Sequence, residues 1–285
     1  MLIGSYIPKL RMETIEEELK RVNKHGFTSC QLGSWDFSVW NDENAKKINE
    51  LLKKYKITVS SFWCGWEGPR VWNFDKGYTT LGLLPEEWRD IRVKNLCDGA
   101  DFANKLGIKQ IVTHMGFIPE NPHDPQLLPL CDAIRTVAEH LKANGQYLLF
   151  ETGQETPLAM LRCFEIVGTD NLAVNLDTAN LILYGKANPV DALDIIGKYV
   201  RDIHAKDGLY PTTSKWLGKM TPLGEGKVDF YALFRKLKEL GYDSYVTIES
   251  ELVGDGDEFA EEKNADILRS RDFLQKIIKE VYEEA

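Results

Sequence analysis

Apolar runs and turn signals alternate with helical patterns along this chain. They predict eight strands, at residues 2–6, 29–32, 58–63, 110–114, 147–150, 173–176, 200–204 and 245–249. A regular alternation of short strands and longer helices predicts an α/β fold in which a parallel sheet closes into a (β/α)8 TIM barrel. No linker or low-complexity tract interrupts the alternation, so residues 1–285 are predicted to form a single domain.

The connections between these elements carry their own signals. Helical segments end at Gly26, Gly107, Gly145 and Gly241, each followed within a few residues by a predicted strand. Apolar residues at helical spacing predict a last helix over residues 258–282, packed outside the barrel. Connections 65–85 and 208–227 exceed what barrel closure needs, so we expect them to line or cover a site. Residues 208–222, with Trp216 and Lys219, are predicted to be a mobile cover.

The composition narrows the class of protein. A chain of 285 residues fits one α/β barrel, and 43% hydrophobic with 28% charged residues is typical of a soluble globular protein. The net charge of -9 opposes a nucleic-acid binder, which needs clustered lysine and arginine. We therefore expect a small-molecule ligand and no nucleic-acid partner.

The cysteines and the apolar runs bear on location. Five cysteines without a CxxC spacing predict reduced thiols rather than a disulfide framework. No secretory signal pattern and no apolar run of membrane-spanning length is visible. The sequence thus predicts a cytoplasmic protein with no membrane partner, and leaves open whether it is a monomer or a homo-oligomer.

Four residues with metal-ligating side chains end four successive predicted strands. They are Glu151, Asp177, His204 and Glu249, spaced by 26, 27 and 45 residues. The first two intervals match one strand-helix unit, and the third adds a long loop. Because catalytic groups of α/β barrels gather at the carboxyl ends of the strands, we expect these side chains to share one rim.

Three carboxylates and one imidazole favour a hard or borderline divalent ion. The sequence predicts one such ion, Mn²⁺, Mg²⁺ or Co²⁺, with water or substrate oxygens in the remaining positions. Gln154 and Glu251 are candidates for orienting the ligands. The alternative, four unrelated polar residues at strand ends, does not account for their matched positions.

Five strings give the chain a specific resemblance: FETG at 150–153, NLDTAN at 175–180, DIHAKD at 202–207, LGEGKVDF at 223–230 and TIESE at 247–251. Together they resemble the xylose isomerase-like TIM-barrel superfamily of sugar phosphate isomerases and epimerases. The resemblance implies that Glu151, Asp177, His204 and Glu249 bind the metal. It also implies, from the ketose 3-epimerase branch, that Glu151 and Glu249 exchange protons with the substrate from opposite faces.

Further polar residues near the strand ends are candidates for substrate contact. His114 ends the fourth predicted strand. It is predicted either to contact the substrate or to be a hydrogen-bonded histidine at the barrel rim. Asn180 stands where ketose 3-epimerases usually carry a histidine. Lys206 follows the metal-binding histidine and points either at a substrate oxygen or phosphate, or into an ion pair with Asp207 or Glu249.

Aromatic residues cluster on the early strand ends and loops. Tyr6, Trp63 and Trp66 are predicted to pack against the sugar, since aromatic faces suit sugar rings. Trp35 and Trp72 share this region, and ordinary packing at the barrel mouth explains them at least as well.

These residues support a leading hypothesis of a metal-dependent isomerase or epimerase. It would act on a ketose, sugar phosphate or sugar derivative, with proton transfer through an enediolate. The first alternative is a dehydratase or lyase of a keto-inositol or keto-sugar at the same metal site. A deoxyribonuclease for abasic sites would need a three-metal, histidine-rich cluster and a basic groove, which five histidines on an acidic chain do not supply. A non-catalytic sugar-binding barrel would hold no divalent ion.

Overall fold

The computed structural model describes residues 1–252 and 260–283, and its strands confirm the predicted barrel. The strands are β1 Leu2–Ile7, β2 Ser29–Ser34, β3 Thr58–Cys64, β4 Gln110–Thr113, β5 Tyr147–Glu151, β6 Leu172–Asp177, β7 Val200–Ala205, β8 Asp207–Gly208, β9 Met220–Thr221 and β10 Tyr245–Ile248. Eight of them close a parallel barrel in the order β1-β10-β7-β6-β5-β4-β3-β2. All eight predicted strands are present, with ends that differ by one or two residues.

Helices cover the outside of the barrel. They are α1 Ile15–Lys24, α2 Asp42–Tyr55, α3 Gly77–Thr80, α4 Glu86–Lys105, α5 Leu127–Ala143, α6 Pro157–Val167, α7 Asn180–Leu183, α8 Pro189–Ile196, α9 Phe230–Glu239 and α10 Ala260–Ile278. The last helix confirms the prediction for residues 260–278, and a π-helical turn continues it over Lys279–Glu283. Residues 258 and 259, where the predicted helix starts, lie outside the described residues.

The amphipathic pattern of the helices explains how they pack. In α1 the buried residues are Ile15, Leu19 and Val22, which lie on one face at intervals of four and three. Gly26 follows with φ of 80°, a left-handed conformation that costs a side-chain-bearing residue free energy. The chain thereby turns back toward the barrel and enters β2.

The strand register determines where the predicted metal ligands lie along the barrel axis. Asp177 on β6 is the Cα partner of His204 on β7, and Glu151 on β5 is the partner of Asn175, two residues before Asp177. On the next strand Ile248 pairs with Ala205, so Glu249 follows directly beyond the end of β10. The four residues therefore lie at one end of the barrel, as predicted from their positions at strand ends.

The long connection after β7 contains local structure that the sequence did not predict. The two-residue strands β8 and β9 pair antiparallel, with β8 at the start of the predicted loop 208–227 and β9 within it. Two-residue strands carry no detectable apolar alternation, so this pairing depends on the fold around it. Within the described ranges, no helix is long and apolar enough to cross a membrane.

Candidate active site

The four predicted metal ligands meet at the carboxyl end of the barrel. One potential ligand atom of each of Glu151, Asp177, His204 and Glu249 lies within 4.8 Å of those of the others. His204 Nδ1 is 2.9 Å from Glu151 Oε1 and 3.1 Å from Glu249 Oε2. The imidazole therefore points its Nδ1 into the space between the carboxylates.

The chemistry of this cluster fits a divalent cation. Asp177 Oδ1 accepts hydrogen bonds from the backbone N–H groups of Ala179 and Asn180, at 2.9 and 2.6 Å. Its other oxygen, Oδ2, is buried and accepts no hydrogen bond within the described part of the chain. Buried polar atoms are rarely left without a partner, and an oxygen-rich set of three carboxylates and one imidazole suits Mn²⁺, Mg²⁺ or Co²⁺.

Burial and the neighbouring charges set the protonation of the cluster. Burial acts to raise the pKa of Glu249, but Lys206 and His204 outweigh it and hold that pKa well below its usual range. Burial also acts to raise the pKa of Glu151, but His204 and His114 outweigh it, so that this pKa is lowered. Both glutamates are therefore ionised at neutral pH.

The pKa values of the other two residues of the cluster, Asp177 and His204, are raised. Burial raises the pKa of Asp177 to about 8, and the negative charges of Glu249 and Glu151 add to that rise. Burial alone would lower the pKa of His204, but Glu151 and Glu249 raise it well above its usual range. A metal ion can bind only after protons leave such groups.

Lys206 is part of the cluster and also lines the cavity above it. Its Nζ lies 3.0 Å from Glu249 Oε2, 2.7 Å from Glu251 Oε2 and 3.6 Å from Asp177 Oδ2. These carboxylates raise its pKa well above the usual range against the effect of burial. Of the two partners considered from the sequence, Glu249 is paired with Lys206, whereas Asp207 accepts backbone N–H groups.

A cavity of about 670 Å³ opens above the cluster, a volume typical of small-molecule sites. Tyr6, Trp63, His114, Asn180 and Lys206 line it together with Glu151 and Glu249. Trp35 and Trp72 also contribute to the wall. The cavity therefore gathers most of the residues predicted to contact substrate.

Trp66 lies elsewhere. It is buried behind this wall, with its ring 5.2 Å from that of Trp35 and 5.7 Å from that of Trp63. Trp66 therefore does not line the cavity, and the direction of an indole ring could not be read from its place in the sequence.

Two of the lining residues contact Glu151 directly. The indole N–H of Trp63 donates a hydrogen bond to Glu151 Oε2. His114 Nε2 lies 3.5 Å from the same oxygen, and burial lowers the pKa of His114. A neutral His114 at this distance can serve as a hydrogen-bond partner for Glu151 or for a ligand.

The predicted orienting residues behave differently from each other. Glu251 pairs with Lys206, which contacts Glu249 and Asp177, whereas Gln154 donates to Tyr184 Oη at 3.1 Å. Sequence reasoning missed Gln31, Ser61 and Asp202, which are buried inside the barrel directly below His204. Polar residues in the middle of buried strands are the signal that could have indicated them.

The comparisons with known proteins agree with this architecture. The model of the family described as "Xylose isomerase-like TIM barrel" matches residues 19–277. An inosose dehydratase of Lacticaseibacillus casei is 23% identical, over 86% of this chain and 85% of its own.

Two solved structures extend the comparison. The crystal structure of a xylose isomerase domain protein from Planctomyces limnophilus has a TM-score of 0.85 and 29% identity, over 92% of both chains. A D-tagatose 3-epimerase-like protein has a TM-score of 0.74 and 20% identity, over 100% of this chain and 99% of its own.

Proposed function

The chain belongs to the xylose isomerase-like TIM-barrel family, and we propose that it is a divalent-metal-dependent isomerase or epimerase. Its substrate would be a ketose, a sugar phosphate or a related sugar derivative. The observation that carries this proposal is the convergence of Glu151, Asp177, His204 and Glu249 at the base of a cavity with aromatic walls. These four residues would hold one Mn²⁺, Mg²⁺ or Co²⁺.

The proposed chemistry needs a weakly acidic C–H bond beside a carbonyl group. A divalent ion, when bound, stabilises the negative charge that develops on the carbonyl oxygen as the proton leaves. Trp63, Trp72 and Tyr6 offer apolar surface to the substrate and help to exclude water. His114, Asn180 and Lys206 are the proposed hydrogen-bond partners of its hydroxyl or phosphate oxygens.

Glu151 and Glu249 are the proposed proton carriers. Both are ionised, as the lowered pKa values indicate, so each can accept a proton. The described hydrogen bonds to Glu249, from His204 and Lys206, go to Oε2, which leaves Oε1 for the substrate. Since β5 and β10 are separated by β6 and β7 around the barrel, the two carboxylates approach from different sides. One can remove a proton and the other can return it with inverted configuration.

A dehydratase acting on a keto-inositol or keto-sugar is the second candidate. The same proton abstraction would be followed by loss of a hydroxyl group from the next carbon. The inosose dehydratase relative supports this candidate, because it aligns along most of both chains. Asn180 supports it as well, since ketose 3-epimerases usually carry a histidine at the corresponding position.

The products of a substrate panel test the proposal. The protein would be incubated with Mn²⁺, Mg²⁺ or Co²⁺ and with ketoses, ketose phosphates and keto-inositols, and the products analysed by NMR and mass spectrometry. An isomerase or epimerase gives products of unchanged mass, whereas a dehydratase gives a product lighter by one water. Turnover without any divalent ion, in protein treated with EDTA, would contradict both candidates.

A further inference from the structure

A chain of buried hydrogen bonds connects the metal-ligand candidate His204 to the middle of the barrel. His204 Nε2 is 2.6 Å from Gln31 Oε1 on β2, and Gln31 Nε2 donates to Ser61 Oγ on β3 at 2.6 Å. Ser61 Oγ donates in turn to Asp202 Oδ2, two residues before His204 on β7, at 2.5 Å. All four side chains are fully buried, so each polar atom depends on these partners.

The donors and acceptors in this series of hydrogen bonds determine which group donates in each bond. Asp202 accepts on both oxygens, from the backbone N–H of Ile203 on Oδ1 and from Ser61 on Oδ2. Because the hydroxyl proton of Ser61 is directed at Asp202, the amide of Gln31 must face Ser61 with its NH₂ group. The carbonyl oxygen of Gln31 therefore faces His204 and accepts the proton of Nε2.

We propose that Gln31, Ser61 and Asp202 are positioning residues that keep a proton on His204 Nε2 and so reserve Nδ1 for the metal. This inference rests on the proposed metal site. Nδ1 is the ring nitrogen that faces Glu151 and Glu249, and only a nitrogen without a proton can ligate a cation. A hydrogen-bond acceptor on the second ring nitrogen fixes the orientation of a ligating histidine and makes it a better ligand.

Metal affinity in matched variants separates this role from simple packing. Gln31→Met removes the acceptor at similar length, and Gln31→Glu restores an acceptor for the Nε2 proton. Gln110→Met is the control: Gln110 is also buried, on β4, but bonds the Ser60 carbonyl and Arg201 rather than His204. Titration with Mn²⁺ followed by electron paramagnetic resonance gives the Kd of each protein, and circular dichroism verifies folding.

We expect Gln31→Met to weaken Mn²⁺ binding by about 10- to 100-fold and Gln110→Met to leave it near the wild-type value. Gln31→Glu should bind at least about tenfold more tightly than Gln31→Met. Equal affinities of Gln31→Met and Gln110→Met would overturn the inference, as would a Gln31→Glu protein that binds no more tightly than Gln31→Met. Wild-type protein that binds no Mn²⁺ would overturn the proposed metal site as well, which distinguishes the two failures.

A second measurement examines the wild-type protein, in which Gln31, Ser61 and Asp202 are unchanged. In ¹⁵N NMR spectra of the Mg²⁺-loaded wild-type protein, the five histidines give few signals, and comparison with His204→Gln assigns His204. The inference predicts a protonated Nε2 and an unprotonated Nδ1. A proton on Nδ1 with a bare Nε2 would overturn it.

Discussion

At the scale of single residues, burial gives neighbouring acids opposite protonation states. Glu249 and Glu151 stay ionised because cationic groups face them, whereas burial raises the pKa of Asp177 to about 8. Glu155, four residues after Glu151, is buried outside the cluster, and neither of its oxygens has a hydrogen-bond partner among the described residues. Burial raises the pKa of Glu155 to about 8, so it is neutral at pH 7.

The buried Glu155 makes the stability of the fold depend on pH. Its pKa in the folded protein exceeds the usual value of 4.5, so the folded state holds a proton that the unfolded state releases between pH 4.5 and about 8. The free energy of unfolding therefore falls as pH rises through this window, by about 1.4 kcal/mol per pH unit from this group. Glu155→Gln should remove that part of the slope in urea denaturation series, whereas the exposed Glu165→Gln should not. Equal slopes for the two variants would contradict the assignment.

Single residues also show which parts of the site the sequence could predict. Glu151, Asp177, His204 and Glu249 could be found because each ends an apolar run, and strand ends meet at one rim. Gln31, Ser61 and Asp202 could not be placed in the same way. They come from three strands, and their contacts depend on which side of each strand faces the barrel axis.

At the scale of elements, two long connections shape the cavity. After β7, the Asp207 carboxylate accepts the backbone N–H groups of Gly208, Gly224, Gly226 and Val228. A Cβ atom on Gly226 would lie 2.1 Å from Asp207 Oδ1, so glycine is required there. These contacts hold the last part of the connection firmly.

The connection after β3 is held by a different residue. The buried guanidinium of Arg92 donates hydrogen bonds to the carbonyl oxygens of Glu67, Pro69 and Gly82. Three such bonds fix the backbone on either side of Trp72 and keep that ring at the cavity wall. The connection meets the one after β7 where the Phe74 N–H donates to the Lys215 carbonyl at 3.1 Å.

The mobile part of the cover is therefore expected within residues 210–217, a shorter segment than the predicted 208–222. Trp216 there is 57% exposed. The backbone N–H groups that donate to Asp207 lie outside this stretch, which is joined to the connection after β3 through the Lys215 carbonyl. Hydrogen exchange followed by mass spectrometry should show fast exchange at 210–217 and slow exchange at 224–228 in the free protein. A saturating concentration of the best substrate from the panel should slow exchange at 210–217. Exchange that is unchanged by substrate would contradict a cover.

At the scale of the whole molecule, the barrel could be predicted because the pattern repeats eight times. An error of one or two residues in a strand end is small compared with the length of a strand-helix unit. The order and topology of the strands can therefore be predicted even where individual ends are displaced. The short helices α3 and α7 and the β8–β9 pair were not predictable. They span only two to four residues and form through contacts with distant parts of the chain.

The barrel also explains why chemistry concentrates at one end. Parallel strands deliver residues from four separate parts of the sequence to one rim, and the strands and helices beneath hold them rigidly. The proposed enzyme depends on this arrangement to place two ionised glutamates on different sides of one substrate carbon.

Turnover in D₂O tests the proton transfer most directly. With a divalent ion and an accepted sugar, NMR and mass spectrometry should find deuterium on the carbon next to the carbonyl group, in the product of epimerisation or in substrate recovered before elimination. Removal of the ion with EDTA, or the variant Glu151→Gln, should abolish the exchange. Product formed with no solvent deuterium in it or in the recovered substrate, for every accepted sugar, would contradict proton transfer by Glu151 and Glu249.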